Sequence, residues 1–400
     1  MPVLGPKEKE QRHSPPDSLL LLQSIFTAAS LVVSSHSVAE FALPADFYHR
    51  ARALFWVGHE TNPLTVRWSG VRDALIATSR GRPRAIQLVD CHVRRPNADD
   101  FPDSAANGQL FISYVDICCA LGDVVESFAR DTITEDKKVA IENILYRWTR
   151  SLRGWLQLGH WNDTRASWEL NPHDFRARQI HPIYFVTLTI RSKTPGTHRA
   201  ISPTAILAAS YVAGIYEDLL ARDLVWLLSP TFTTFCFMAG LILLPLRKDA
   251  ILWQSAQADL IIIQRSLEIL SQRWKSVIGA TKALQKAMES PSTATARLAP
   301  LVPLSTEHRP LLHGFPVELC RMWIPCQEHV IRRQQFDEYP GPAEGMTAQT
   351  GVTMMQSTEA NMPIFPAGFF EPLGGDLLPG FDDGSLDCGK YFWSDWNLGA

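Results

Sequence analysis

The chain has 400 residues, 46% of them apolar and 20% charged. That ratio supports a sizeable buried core and excludes disorder throughout. Its 38 Lys+Arg against 41 Asp+Glu leave a net charge of −3, so the basic excess of a chain wrapped in nucleic acid is missing. Seven cysteines stand at 91, 118, 119, 236, 320, 326 and 388. Their odd number and scattered spacing favour reduced intracellular thiols over a disulfide framework or a zinc cage.

Residues 1–16 are polar and proline-bearing and read as a disordered head. A helical domain is expected over 17–288. Leu19 to Val33 has the length of a signal-peptide core, yet Gln23, Ser24, Thr27 and Ser30 interrupt it. Glu8, Glu10 and Asp17 spoil the basic leader, so a buried first helix is the better reading. Helical periodicity then places elements near 45–57, 64–79, 109–129, 136–157, 173–192 and 202–228. The breakers Asn62-Pro63, Arg82-Pro83, Arg95-Pro96-Asn97 and Thr194-Pro195-Gly196 lie between them. Strand-like alternation and hairpin turn signals are scarce, and no strand–helix alternation announces a Rossmann-type enzyme. The fold class is therefore all-α.

Leu224 to Leu246 carries no charge and is long enough to span a bilayer. Pro230, among Ser229, Thr231, Thr233 and Thr234, favours two shorter buried helices instead. Leu260, Ile263, Leu267, Leu270, Trp274, Val277, Leu284 and Met288 recur at steps of three and four, with Thr281 at one seam position. This predicts one continuous apolar face, packed on the domain's own core or on a second copy. Residues 289–336 read as a linker rich in Pro, Ser and Thr, with a short helix at 316–334. Residues 337–400 read as a disordered tail.

Motifs for catalysis are missing: there is no H-E-x-x-H, G-x-S-x-G or G-x-G-x-x-G. Gly384 to Lys390 has P-loop spacing, but Tyr391 stands where Ser or Thr would hold magnesium, and no apolar strand precedes it. Asp90-Cys91-His92 lacks a partner pair for a metal, and Cys320 and Cys326 are too far apart for a knuckle. Cys118 and Cys119 read as core thiols, and His160 and His181 as structural. No catalytic, cofactor or metal residue is assigned. The tail is different. Residues 361–400 hold six carboxylates and one lysine, interleaved with aromatics. Phe369, Phe370, Phe381, Asp382, Asp383, Tyr391, Phe392, Trp393 and Trp396 form the candidate partner-binding segment, of a composition typical of transcriptional activation segments; the other reading of the same composition is a tail that packs its aromatics back onto the body.

Arg67-Trp68-Ser69-Gly70-Val71-Arg72-Asp73 runs into Arg82-Pro83-Arg84-Ala85-Ile86, then Asp90-Cys91-His92-Val93 and Asp99-Asp100-Phe101. This order resembles the regulatory middle region of fungal zinc-cluster transcription factors, especially the cutinase-regulator-like branch. His92 stands where that pattern prefers an aspartate. Leu19–Phe26, Tyr48–Leu54, Phe111–Phe128 and Ala208–Leu246 resemble further helices of the region, so the likeness covers about 19–280. It implies a nuclear, all-helical regulator of metabolic or secondary-metabolite genes, without catalytic residues. Trp68 and Ile86 are expected in the core, and Arg72 and Asp73 solvated or locally paired. Two departures stand out. No cysteine precedes Cys91, so the six-cysteine DNA reader is lacking, and the interval between Leu54 and Trp68 is short by at least two helices. The expectation is an activator that works through the transcription machinery or a DNA-binding partner protein, forms a homodimer through its body, and does not enter membranes. The alternative is a membrane-associated protein or enzyme of a biosynthetic pathway.

Overall fold

The computed structural model describes residues 50, 62–81, 83–87, 93–102, 104–192, 202–274, 277–289, 309–312 and 314–337. These fall into two units. One includes Asn62–Val66 and residues 93–95; there Asn62 accepts the Leu64 amide on its side chain at 2.9 Å, and Pro63 follows, the pattern that starts a helix. The other unit begins at Arg67 and holds the architecture below.

The described residues form ten α-helices and one two-stranded hairpin. Helix α1 is Pro63–Arg80, α2 Ala105–Ala129, α3 Glu135–Ser151, α4 Phe175–Arg191 and α5 Pro203–Ala221. They are followed by α6 Phe232–Leu243, α7 Ala250–Arg273, α8 Val277–Glu289, α9 Arg309–Leu312 and α10 Trp323–Asp337. The chain is all-α as its periodicity predicts. Starts are chemically marked. Ser104, Thr134, Asp174, Ser202 and Asp249 each accept an early backbone N–H of the helix that follows, satisfying donors that have no partner within the helix.

The centre of the fold is α4 against α5. Nearly every side chain from His181 to Arg191 and from Thr204 to Tyr216 is buried, whichever way it points, as expected of helices surrounded by others. Helix α2 covers α4, while α6 and α7 cover α5. Phe185 and Tyr211 stack across the α4–α5 contact with centroids 4.7 Å apart. Helices α2 and α5 are long and apolar enough to cross a membrane, yet most of each is buried within the fold.

Four sequence expectations change. The 260–288 stripe is buried as predicted, but the helix is broken at Trp274, whose indole N–H donates to the Leu228 carbonyl at 3.1 Å. Helix α8 folds back on α7, so Thr281 reaches the Leu267 carbonyl and Leu284 shares the surroundings of Gly240 with Ile263. One apolar face thus closes on itself. The helix expected over 136–157 ends at Ser151, and a 3-10 turn, Gly154–Leu156, leads into the hairpin β1 Gly159–Asn162 and β2 Ser167–Leu170. Its Trp161 and Trp168 face each other across the strands. A four-residue turn without Asn-Gly or Asp-Gly hid it. Leu224–Leu246 resolves into a 3-10 turn at Val225–Leu227, helix α6 and a second 3-10 turn, Leu244–Lys248.

The fourth concerns 289–336, read as a linker. Leu311, Leu312, Phe315, Leu319, Cys320, Met322 and Cys326 are core residues. The segment from Arg309 to Cys326 forms a strap over α4 and α5. Tyr184 donates its hydroxyl to the Leu311 carbonyl at 2.7 Å and Tyr211 to that of Phe315 at 3.4 Å. Phe315 sits among His181, Tyr184, Phe185 and Tyr211. A side chain on Gly214 of α5 would collide with the Leu319 carbonyl, so this glycine lets the strap backbone approach.

Candidate functional site

Inside the larger unit, three groups of charged residues each fasten a different joint. The first gathers the motif residues after α1. Gly81 ends that helix with φ +59°, a left-handed turn that suits glycine. Asp73 Oδ2 then accepts the Ile86 amide at 2.7 Å, closing the Arg-Pro-x-x-Ile turn onto the helix that precedes it. Burial pushes the Asp73 carboxyl up, against the backbone amides of Ile86 and Ala85 and the charge of Arg84. Arg72 and Asp73, expected at the surface or locally paired, are both buried, whereas Trp68 is only partly so and packs against Phe111 and Tyr114 of α2.

From that turn Arg84 reaches α2. It pairs with Asp123 at 2.6 Å and with Glu126 at 3.2 Å, and Gln87 donates to Glu126 at 2.8 Å. Gly122 leaves room for the Arg84 stem, whose Cδ lies 2.6 Å from where a Cβ would sit. Partial burial raises the Glu126 carboxyl, but hydrogen bonds from Gln87 and Arg84 outweigh it and hold it below the usual range. The motif residues therefore form one joint between α1 and α2, whose chemistry is structural pairing rather than proton transfer.

The second group joins the start of α4 to the end of α5. Asp218 accepts from His173 Nδ1 and Arg178 Nε, both at 2.8 Å, and from Arg222 at 3.0 Å. Burial raises the Asp218 carboxyl, yet His173 and the two arginines bring it below the ordinary value. Arg178 is 1% exposed, and the Asp218 carboxylate is the counter-ion that its buried charge needs.

The third group fastens the strap. Asp259 of α7 accepts Ser210 Oγ at 2.6 Å and Arg321 Nη1 at 2.7 Å, and Arg321 also grips both oxygens of Glu217. Ser210 in turn accepts the Met322 amide at 3.1 Å. Burial pushes the Asp259 carboxyl up to about 6, against the pull of Ser210 and Arg321. A raised native value means that the folded chain holds this proton more tightly than the unfolded one. Asp259 therefore adds a term to stability that shrinks as pH climbs from about 4 to about 6 and then levels off. Asp259→Asn is expected to remove that term, so that relative to the wild type the variant loses stability as pH falls from about 6 to 4. Urea unfolding of variant and wild type at pH 4.5 and 7 checks the difference.

The proposed tail residues Phe369, Phe370, Phe381, Asp382, Asp383, Tyr391, Phe392, Trp393 and Trp396 lie outside the described residues, as do Cys91, His92 and Cys388. His160 pairs with Asn171 at 2.8 Å, and His181 is buried against Trp148 and Phe315. Cys118, Cys236, Cys320 and Cys326 are buried free thiols, Cys119 is half-buried, and burial raises the pKa of all five. Among the described residues no group of three His, Cys, Asp or Glu could hold a metal ion. Sequence reasoning missed the Ser210–Asp259–Arg321 group. Its signal was a carboxylate at position 259, four residues before Ile263 on the apolar stripe, where only a partnered charge survives.

No known protein family matches the chain, and neither does any curated protein or solved structure.

Proposed function

We propose that this chain is a transcriptional regulator, an activator that works through protein partners. Its helical body serves as the scaffold and residues 361–400 as the segment that engages the transcription machinery. The observation that carries the reading is the tail's composition, net −5 with eight aromatic residues between Phe365 and Trp396. Repelling carboxylates keep aromatic side chains available for a partner's groove, and the prolines and glycines oppose a private fold. The described motif residues Asp73, Arg84 and Ile86 support the same reading, because they belong to one joint. Asp73 holds the Ile86 turn and Arg84 holds α2, which is the work of a scaffold. Metabolic or secondary-metabolite genes are the targets that the family resemblance implies, and the nucleus is the compartment.

Fusing residues 361–400 to a foreign DNA-binding domain tests this directly. A reporter driven by that domain's site is expected to rise at least roughly tenfold, since losing a buried aromatic anchor or two removes several kcal/mol from such an interface. Phe392→Ala, Trp393→Ala and Trp396→Ala together are expected to return it to background. Activation that survives the triple substitution rejects the tail's role.

A further inference from the structure

The apolar stripe of 260–288, a candidate surface for a second copy, closes within the fold, so self-association needs another face. Helix α3 presents one. Its inner side carries Lys138, Ile141, Leu145 and Trp148, all buried. Asp136, Val139, Asn143, Tyr146, Arg147 and Arg150 are exposed. Steps of three and four put these six on the outer side, within an arc of about 120° centred on Asn143. Contacts inside the stripe fix its shape. Arg147 Nε donates to the Asn143 carbonyl at 3.1 Å, and Arg150 Nη1 donates to the Tyr146 hydroxyl at 3.3 Å with its guanidinium 5.5 Å from the ring centre. Val139 and Tyr146 nevertheless remain 51% and 39% exposed. Asp136, Arg147 and Arg150 form no ion pair among the described residues. The neighbouring charges are engaged on the same helix end: Glu135 with Lys138 at 2.8 Å, and Lys137 with the Thr132 hydroxyl at 3.2 Å.

This stripe is complementary to itself. Its acid stands at 136, its bases at 147 and 150, and Asn143 lies midway. A twofold axis through Asn143 lays a second copy of the helix antiparallel to the first, and a contact of that kind joins the same patch on both copies. Val139 then lies beside Tyr146 of the other copy, and Asp136 beside the other copy's Arg147 and Arg150. Asn143 meets its own equivalent, and one amide can both donate to and accept from another. Each pairing occurs twice, and the opposed helix dipoles favour the arrangement. We infer that the outer face of α3 is an interface between two copies of this chain, paired antiparallel. One helix pair covers less than the roughly 1,600 Å² of a standard interface, so the dimer is expected to form and separate at micromolar concentrations.

Sedimentation equilibrium of the full chain, from about 1 to about 200 µM, tests the inference. The wild type is expected to pass from monomer to dimer. Asp136→Arg is expected to weaken the dimer at least about tenfold, and so is Arg147→Asp/Arg150→Asp, because each sets like charges together at both ends of the contact. Mixing these two chains is the decisive arm. The mixture is expected to form a heterodimer about as tight as the wild-type dimer, since each altered end then meets its opposite charge. Circular dichroism checks the fold of each chain, and Arg147→Asp alone replaces the double change if that fold is lost. A wild type that stays monomeric to about 200 µM overturns the inference. A dimer that both charge variants leave intact overturns it too, and so does a mixture of folded variants that shows no rescue.

Discussion

Gly214→Ala is expected to cost about 2–4 kcal/mol of folding stability. The sign is the informative part. Inside an α-helix, alanine is normally the better residue by nearly 1 kcal/mol, so a helix of independent standing would gain. Here the added methyl would meet the Leu319 carbonyl, Cα and carbonyl carbon, all backbone and thus unable to rotate aside. Either the strap shifts away from α5 or both elements strain, and overpacking a close contact costs on this scale. A shifted strap also loosens Phe315 from its ring of aromatics and Arg321 from Asp259. Gly154→Ala is the control: no atom lies within 4 Å of the new methyl, so its effect is expected within about 0.5 kcal/mol. Denaturant unfolding of both variants decides the matter, and a Gly214→Ala chain as stable as the wild type would show that the strap does not need this contact.

The second large effect lies at His181. Its Nδ1 donates to the Ala177 carbonyl at 2.8 Å, and Nε2 is buried with no hydrogen-bond partner. Trp148 and Phe315 meet it edge-on at 5.5 and 5.6 Å. Burial, helped by the charge of Arg178, holds the imidazole at a pKa of about 3, although the Ala177 bond works the other way. The folded chain refuses a proton that the unfolded chain accepts near 6.5, so stability falls as pH drops from about 6.5 toward 3. Each pH unit well inside that window costs about 1.4 kcal/mol. Asp259 tilts the opposite way between about 6 and 4, and there the two slopes largely offset. The variants should therefore part. Relative to the wild type, His181→Phe is expected to gain about 1–2 kcal/mol between pH 6.5 and 5, and Asp259→Asn to lose a similar amount. Parallel stability profiles for His181→Phe and the wild type would show that some other group governs acid sensitivity.

Much of the fold could be read along the chain because it follows from local rules. The helical periodicity that places elements near 109–129, 173–192 and 202–228 acts within a few positions of the residues it concerns. What escaped reading was set by distant partners. Trp274 breaks the α7–α8 stripe because its indole finds a carbonyl 46 positions back. The strap has linker-like composition, yet its scattered Leu311, Leu312, Phe315 and Met322 are buried in the core. Arg72 and Asp73 are polar residues on a mostly buried helix. The Asp73 carboxylate is held by the turn at Ile86, thirteen positions on, a partner that no periodicity reveals. Of the candidate site, composition exposed the acidic–aromatic tail, while the Ser210–Asp259–Arg321 group needed the fold, because its members stand 49 and 62 positions apart.

The strap also sets an order in time. The Tyr184 hydroxyl meets the Leu311 carbonyl 127 positions later in the chain. At ordinary rates of synthesis those residues leave the ribosome on the order of ten seconds apart. Once Ala221 is made, α4 and α5 are complete but wait for the strap, and the face that Phe315 later fills beside Phe185 and Tyr211 lacks its cover, so a chaperone that shields this face until Phe315 arrives is expected to help maturation more than one that acts on the finished protein.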